Sequence, residues 1–160
     1  MEINNKIESD FESLNAYNKE YSWIPNEYQI RPTEMLINMK KILMDKIKKD
    51  YFTTRDYILV NLFNNRVEKI NEKLKVKENN EKLNKFEVCK FRYQIDPKSF
   101  HYIMWYTCDK GSLTDEEINN DIKNSIYNLI KSDNFSFIWY ENPKMTINDI
   151  YHVQVFWIRK

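Results

Sequence analysis

The sequence predicts an α+β fold, a small mixed β-sheet from the C-terminal half covered by N-terminal helices and one crossover helix. Three observations predict it. Apolar residues recur at helical spacing from Ile7 to Phe63, whereas the aromatic and β-branched runs FHYIMWYT, FSFIWYE and YHVQVFWIR all follow residue 99. Between the first two of those runs stands a helix-start signal, Thr114 with Glu117 three residues on.

Residues 6 to 18 read as a short amphipathic helix on Ile7, Phe11 and Leu14, followed by an irregular link with Trp23 and Pro25. A second helix starts at Pro32 or Thr33, with Met35, Leu36, Met39, Ile42, Leu43 and Ile47 as its core stripe. A third follows from Thr53, which forms a capping arrangement with Asp56 and leads into Tyr57, Ile58, Val60, Leu62 and Phe63. Val67, Ile70 and Leu74 fit one helix face, and the polar repeat from Lys75 to Lys85 reads as a mobile surface segment.

Strands are expected over 86–91, 100–107, 135–141 and 151–159, with a helix from Thr114 to about Lys131. A strand, helix, strand order within so short a span predicts a right-handed crossover that leaves the strands at 100–107 and 135–141 parallel. The link from Glu141 to Tyr151 is too short for a crossover, so the last strand pairs antiparallel with any neighbour it has. The expected organisation is one domain over 1–160, helical over 6–75 and sheet-containing over 86–160.

At 160 residues the chain is long enough for one core, and its 42% hydrophobic content supplies it. The net charge of +1 gives no general attraction to nucleic acid or membrane, so neither is expected as a partner. Lys40, Lys41, Lys46, Lys48 and Lys49 cluster locally, but Asp45 and Asp50 interleave, as on a solvated helix face. The polar opening and the absence of a long apolar run point to a cytoplasmic protein with reduced Cys89 and Cys108. Gly111 is the only glycine, where average usage of about 7% would give about eleven. A phosphate-cradling loop needs several glycines for backbone amides to approach the ligand, so Walker and Rossmann sites are excluded.

The two histidines, His101 and His152, both fall in strands. Alternation puts His101 with Ile103 and Trp105, His152 with Gln154 and Phe156, and Trp139 with Glu141. If these faces coincide, His101, Trp105, Trp139, Glu141, His152 and Gln154 line one surface, where flat aromatic walls meet two imidazoles and a carboxylate. The bland alternative is that each histidine is a satisfied structural residue and each tryptophan packs. Phosphodiesterases with paired strand histidines carry Ser or Thr two residues after each; Ile103 and Gln154 stand there instead. A zinc site from Cys89, His101, Cys108 and His152 lacks close paired spacing, and no nucleophile elbow exists, so no metal or cofactor is expected.

The C-terminal segments carry a resemblance. Phe91-Arg92-Tyr93, Asp96-Pro97, His101-Tyr102-Ile103-Met104-Trp105, then Phe137 to Pro143 and His152-Val153-Gln154-Val155-Phe156 follow one another in order. In this the chain resembles the family of fungal N-acetylglucosamine-induced protein 1, a domain of unknown function found also in large DNA viruses. The resemblance spans roughly 35–159. It implies a cytoplasmic location and a link to amino-sugar metabolism, and marks His101, Trp105, Asn142, Pro143 and His152 as the matching positions. Gln154 departs from it, standing where the family has a second histidine.

The leading expectation is a small-ligand binder for a sugar phosphate or nucleotide sugar. Trp105, Trp139, Glu141, Asn142, Gln154 and Arg159 would contact the ligand, beside His101 and His152. The rivals are a phosphoester- or nucleotide-directed enzyme with His101 and His152 as acid and base, and a non-enzymatic module whose exposed aromatics meet a protein partner.

Overall fold

The computed structural model describes residues 4–77, 81–143 and 145–160. Among them are the helices α1 (Phe11–Glu20), α2 (Glu34–Asp50), α3 (Thr54–Phe63) and α4 (Asp115–Ile130). The strands are β1 (Val67–Ile70), β2 (Lys73–Val76), β3 (Asn84–Val88), β4 (Phe100–Tyr106), β5 (Phe135–Tyr140) and β6 (His152–Arg159). No helix among the described residues is long and apolar enough to cross a membrane. The α+β class is as expected.

The main sheet has the order β3-β4-β6-β5, and every strand pairing in it is antiparallel. β4 and β5 run in the same direction, as the crossover through α4 requires, but β6 lies between them. The link after β5 allows an antiparallel return beside it, and the free edge of β6 then takes β4. Among the described residues the expected mixed character of this sheet survives in a single bridge. At the β5 edge the Ile7 amide donates to the Trp139 carbonyl (2.9 Å) and the Trp139 amide to the Asn5 carbonyl (2.7 Å), a parallel bridge centred on Lys6. The first helix therefore starts later than its apolar spacing suggests, capped by Asp10, whose carboxylate accepts from the Ser13 amide at 2.7 Å.

Val67 to Val76 is a hairpin rather than a helix end. Asn71 and Glu72 both take positive φ, 52° and 65°, as a two-residue type I′ turn requires. The absence of glycine hides that turn from the sequence. Asp56 ties the hairpin to α3: one carboxylate oxygen accepts from the buried Val76 amide (2.8 Å), the other from the Thr53 hydroxyl. Of the segment expected to be mobile, Lys75 and Val76 belong to β2 and Asn84 and Lys85 to β3, while residues 78–80 lie outside the described residues.

One face of the sheet packs on α4. Ile118, Ile122 and Ile126 meet Met104, Val153, Val155, Trp157 and Trp139 there, all nearly devoid of solvent contact. The capping box read from Thr114 and Glu117 is formed. The opposite face is covered in two separate patches. Ile7, Leu14 and Ile24 close over Ile138, Tyr140 and Phe156, and Ile58, Leu59 and Val76 close over Trp105 and Ile150. The stripe expected for α2 is corrected here: Met35, Met39 and Ile42 are 70%, 52% and 71% exposed, and only Ile47 is buried. The inward side of α2 is instead the row Lys40, Leu43, Met44, Ile47, which lies above the gap between the two patches.

Candidate functional site

The gap is a cavity of about 350 Å³. Its floor is the sheet, where Ile103, Trp105, His152 and Gln154 stand on one face because Trp105 pairs with His152 and Ile103 with Gln154 in register. Leu43, Met44 and Ile47 of α2 and Ile58 and Leu62 of α3 form an apolar roof. Phe91 and Tyr93 close one side, and Asn142, Met145 and Ile147 from the link before β6 close another.

His101 shares that sheet face, yet it is a buried orienting group outside the cavity lining. The Tyr93 amide donates to its Nδ1 at 3.2 Å, so Nε2 carries the ring proton and donates to Gln154 Oε1 at 2.6 Å. Both nitrogens are then engaged, and the ring is stacked between Tyr93 and Phe156 at centroid distances of 4.4 and 4.7 Å. Burial holds its pKa down at about 4, so the imidazole is neutral at physiological pH. The same hydrogen bond fixes the Gln154 amide. With Oε1 held by His101, the Gln154 NH₂ group is left with no protein partner among the described residues, although the side chain is 6% exposed.

His152 has the opposite polarity. Its Nδ1–H donates to the Ile150 carbonyl at 3.0 Å, which leaves Nε2 a bare acceptor without a partner among the described residues. Burial again lowers the pKa, and Trp105 packs against the ring at 4.4 Å. The floor thus offers one donor, from Gln154, beside one acceptor, from His152.

Two further groups border the cavity. Lys40 of α2 has no carboxylate partner among the described residues, and burial lowers its pKa. Its ammonium lies 5.9 Å from the centre of the Phe91 ring. Cys89 stands nearby, but burial pushes its thiol up, so it remains protonated and a poor nucleophile. Tyr93, its pKa pushed up to about 12 by burial, accepts from Asn142 Nδ2 at 3.1 Å.

The structure therefore brings together Trp105, Asn142, His152 and Gln154 and separates the other expected contacts. Trp139 points to the α4 face, where its indole N–H donates to Asn119 at 2.6 Å. Glu141 accepts from Lys110 at 2.8 Å and from the Tyr151 hydroxyl at 3.1 Å, away from the cavity. The expectation that these two share a face with His101 fails because β4 and β5 meet β6 with odd and even positions exchanged: Val155 pairs with Trp139 but Gln154 with Ile103. Arg159 is exposed at the far end of β6. His101 and His152 are two rows apart, with Gln154 between them. No group of three or more metal-ligating side chains occurs among the described residues.

Lys40 was missed as a cavity residue. The signal was its spacing, since 40, 43, 44 and 47 form one helical row, although composition draws it into a solvated lysine cluster.

No family model and no curated protein matches the chain. Among solved structures, one described as the crystal structure of HTC1 aligns with a TM-score of 0.49 at 10% identity, covering 98% of this chain and 86% of that one.

Proposed function

We propose that this protein binds a small ligand in the cavity beneath α2, of the class of sugar phosphates and nucleotide sugars. One observation carries the reading: two nearly buried polar side chains, Gln154 and His152, each present an unsatisfied group to an otherwise largely apolar cavity. Both groups open into the cavity, where a ligand atom can meet them, and a cavity of about 300–1,000 Å³ with a few convergent polar groups is the usual form of a ligand site. The resemblance to the N-acetylglucosamine-induced protein family joins the proposal here, because Trp105, Asn142 and His152, three of the positions that carry it, line the cavity. A cytoplasmic location belongs to the same proposal and accords with free Cys89 and Cys108.

The enzymatic alternative needs both imidazoles at one substrate. His101 has no free nitrogen with which to act, so binding without acid-base chemistry is the better account. A protein-interaction role draws on a different feature, the exposed Met35, Met39 and Ile42 on the outer side of α2.

The test is a thermal-shift screen of sugar phosphates, nucleotide sugars and nucleotides with His152→Ala in parallel. A ligand at about 100 times its Kd adds roughly 2.7 kcal/mol, which raises the midpoint by several degrees. The expected result is at least one stabilising compound whose effect disappears in the variant. No stabilisation by any compound would overturn the proposal.

A further inference from the structure

The polarity of the cavity floor narrows the ligand class, on the premise that the cavity is a ligand site. Gln154 and His152 are two residues apart on one strand and face the same way, so their Cα atoms are about 6.5–7 Å apart. His101 fixes which way the Gln154 amide points, and the Ile150 carbonyl fixes the tautomer of His152. The complement of such a floor is a ligand edge with a donor beside an acceptor. Both must lie on one side of the ligand, because both protein groups rise from one sheet face. A sugar hydroxyl, which turns freely between donor and acceptor, does not need so fixed a pair. A planar heterocycle does, as when a ring N–H or exocyclic NH₂ adjoins a carbonyl or bare ring nitrogen.

The walls agree with a flat body, since aliphatic side chains of α2 and α3 lie opposite the sheet, with Phe91 beside them. Across the cavity from the polar pair, α2 supplies Lys40. The acidic side chain of the lining, Glu87, is paired with Lys85 at 3.7 Å, and the Lys40 ammonium is left to meet an anion. Lys90 adds an exposed positive charge to the lining.

We infer that the ligand is a phosphorylated nucleobase-type heterocycle, seated with its donor–acceptor edge on His152 and Gln154 and its phosphate towards Lys40. The base donates to His152 Nε2 and accepts from the Gln154 amide. Lys40 contributes charge without a shape requirement.

Isothermal titration of the full chain with the 5′-monophosphates of adenosine, guanosine, cytidine and uridine tests this, with the tightest binder then compared with modified forms. For uridine 5′-monophosphate, methylation at N3 removes the edge donor and is expected to weaken binding about tenfold or more, because it leaves His152 unpaired. Removing the phosphate, as in uridine, should weaken wild-type binding at low salt and make little difference in Lys40→Met. The methylation arm changes the ligand alone, so it does not depend on how well any variant folds. Equal affinity for the methylated and unmethylated nucleotide would overturn the edge assignment. Failure of all four nucleotides, with a His152-dependent hit elsewhere in the thermal-shift panel, would overturn the heterocycle and leave the cavity reading standing. Failure of every compound would overturn both.

Discussion

A histidine at an aromatic strand position has two destinies, and this protein contains both. His101 is sealed between rings with each nitrogen engaged, and its proton is held by the geometry of Gln154. His152 is engaged on one side only. Sequence alternation grouped each histidine with neighbours on its own strand, but whether the two share a face depends on the register of β4 with β6, and which of them meets the cavity depends on the Tyr93 amide in the link before β4. Burial depresses the pKa of His101 to about 4, below the value near 6.5 of an unfolded histidine. The stability associated with its neutral ring is therefore complete above about pH 6.5 and is lost as pH falls towards 4, a loss of roughly 3 kcal/mol. An NMR titration should find the His101 ring neutral down to pH 5, and urea unfolding should show falling stability over the same range. A midpoint near 6.5 for His101 would contradict its placement. Gln154→Leu leaves the His101 N–H buried without an acceptor, and should cost about 1–3 kcal/mol in urea unfolding.

The helices show where apolar spacing informs and where it misleads. In α2 the row of Met35, Met39 and Ile42 is as regular as a core stripe, yet it faces outward. The inward row contains Lys40, whose long aliphatic stem can line an apolar cavity while its charge stays at the margin. Glutamine substitution at Met35 or Ile42 should therefore change stability by less than about 0.5 kcal/mol, whereas Ile47→Ala should cost about 2–5 kcal/mol. Chemical denaturation of the three variants checks this, and equal losses would restore the outward row to the core. Between α3 and the hairpin, Asp56 is the joint. Asp56→Ala leaves the Val76 amide buried and unsatisfied and should cost about 2–3 kcal/mol, while Asp56→Asn, which still accepts from that amide, should cost less. The cap by Thr53 was legible three residues ahead, but the bond across to Val76 was not, since nothing in the sequence announces a hairpin whose turn is Asn-Glu.

Across the whole molecule, the sheet divides labour between its faces. The α4 face is a continuous apolar layer, and its strands were readable from their aromatic and β-branched runs. The other face is covered piecemeal by elements distant in sequence, and the space between them is the cavity. The crossover and the antiparallel last strand followed from link lengths, but the insertion of β6 between β4 and β5 did not. That insertion decides which residues are neighbours, putting Gln154 opposite Ile103 and sending Trp139 to the other side. Charge plays a minor part at this scale. The ion pairs of Lys6 with Asp115, Lys82 with Glu117 and Lys110 with Glu141 join exposed or partly exposed groups at the surface. Raising salt from about 0.05 to 0.5 M should accordingly shift unfolding stability by no more than about 1 kcal/mol.

The most direct measurement follows the side-chain nitrogens of Gln154 and His152 by NMR while the stabilising compound from the screen is added. If the ligand occupies the cavity, the Gln154 NH₂ and the His152 Nε2 shift together and saturate with the same Kd as the thermal effect, while the His101 ring remains neutral. If a compound stabilises the protein and both nitrogens stay unmoved at saturation, the ligand lies elsewhere and the cavity is not the site.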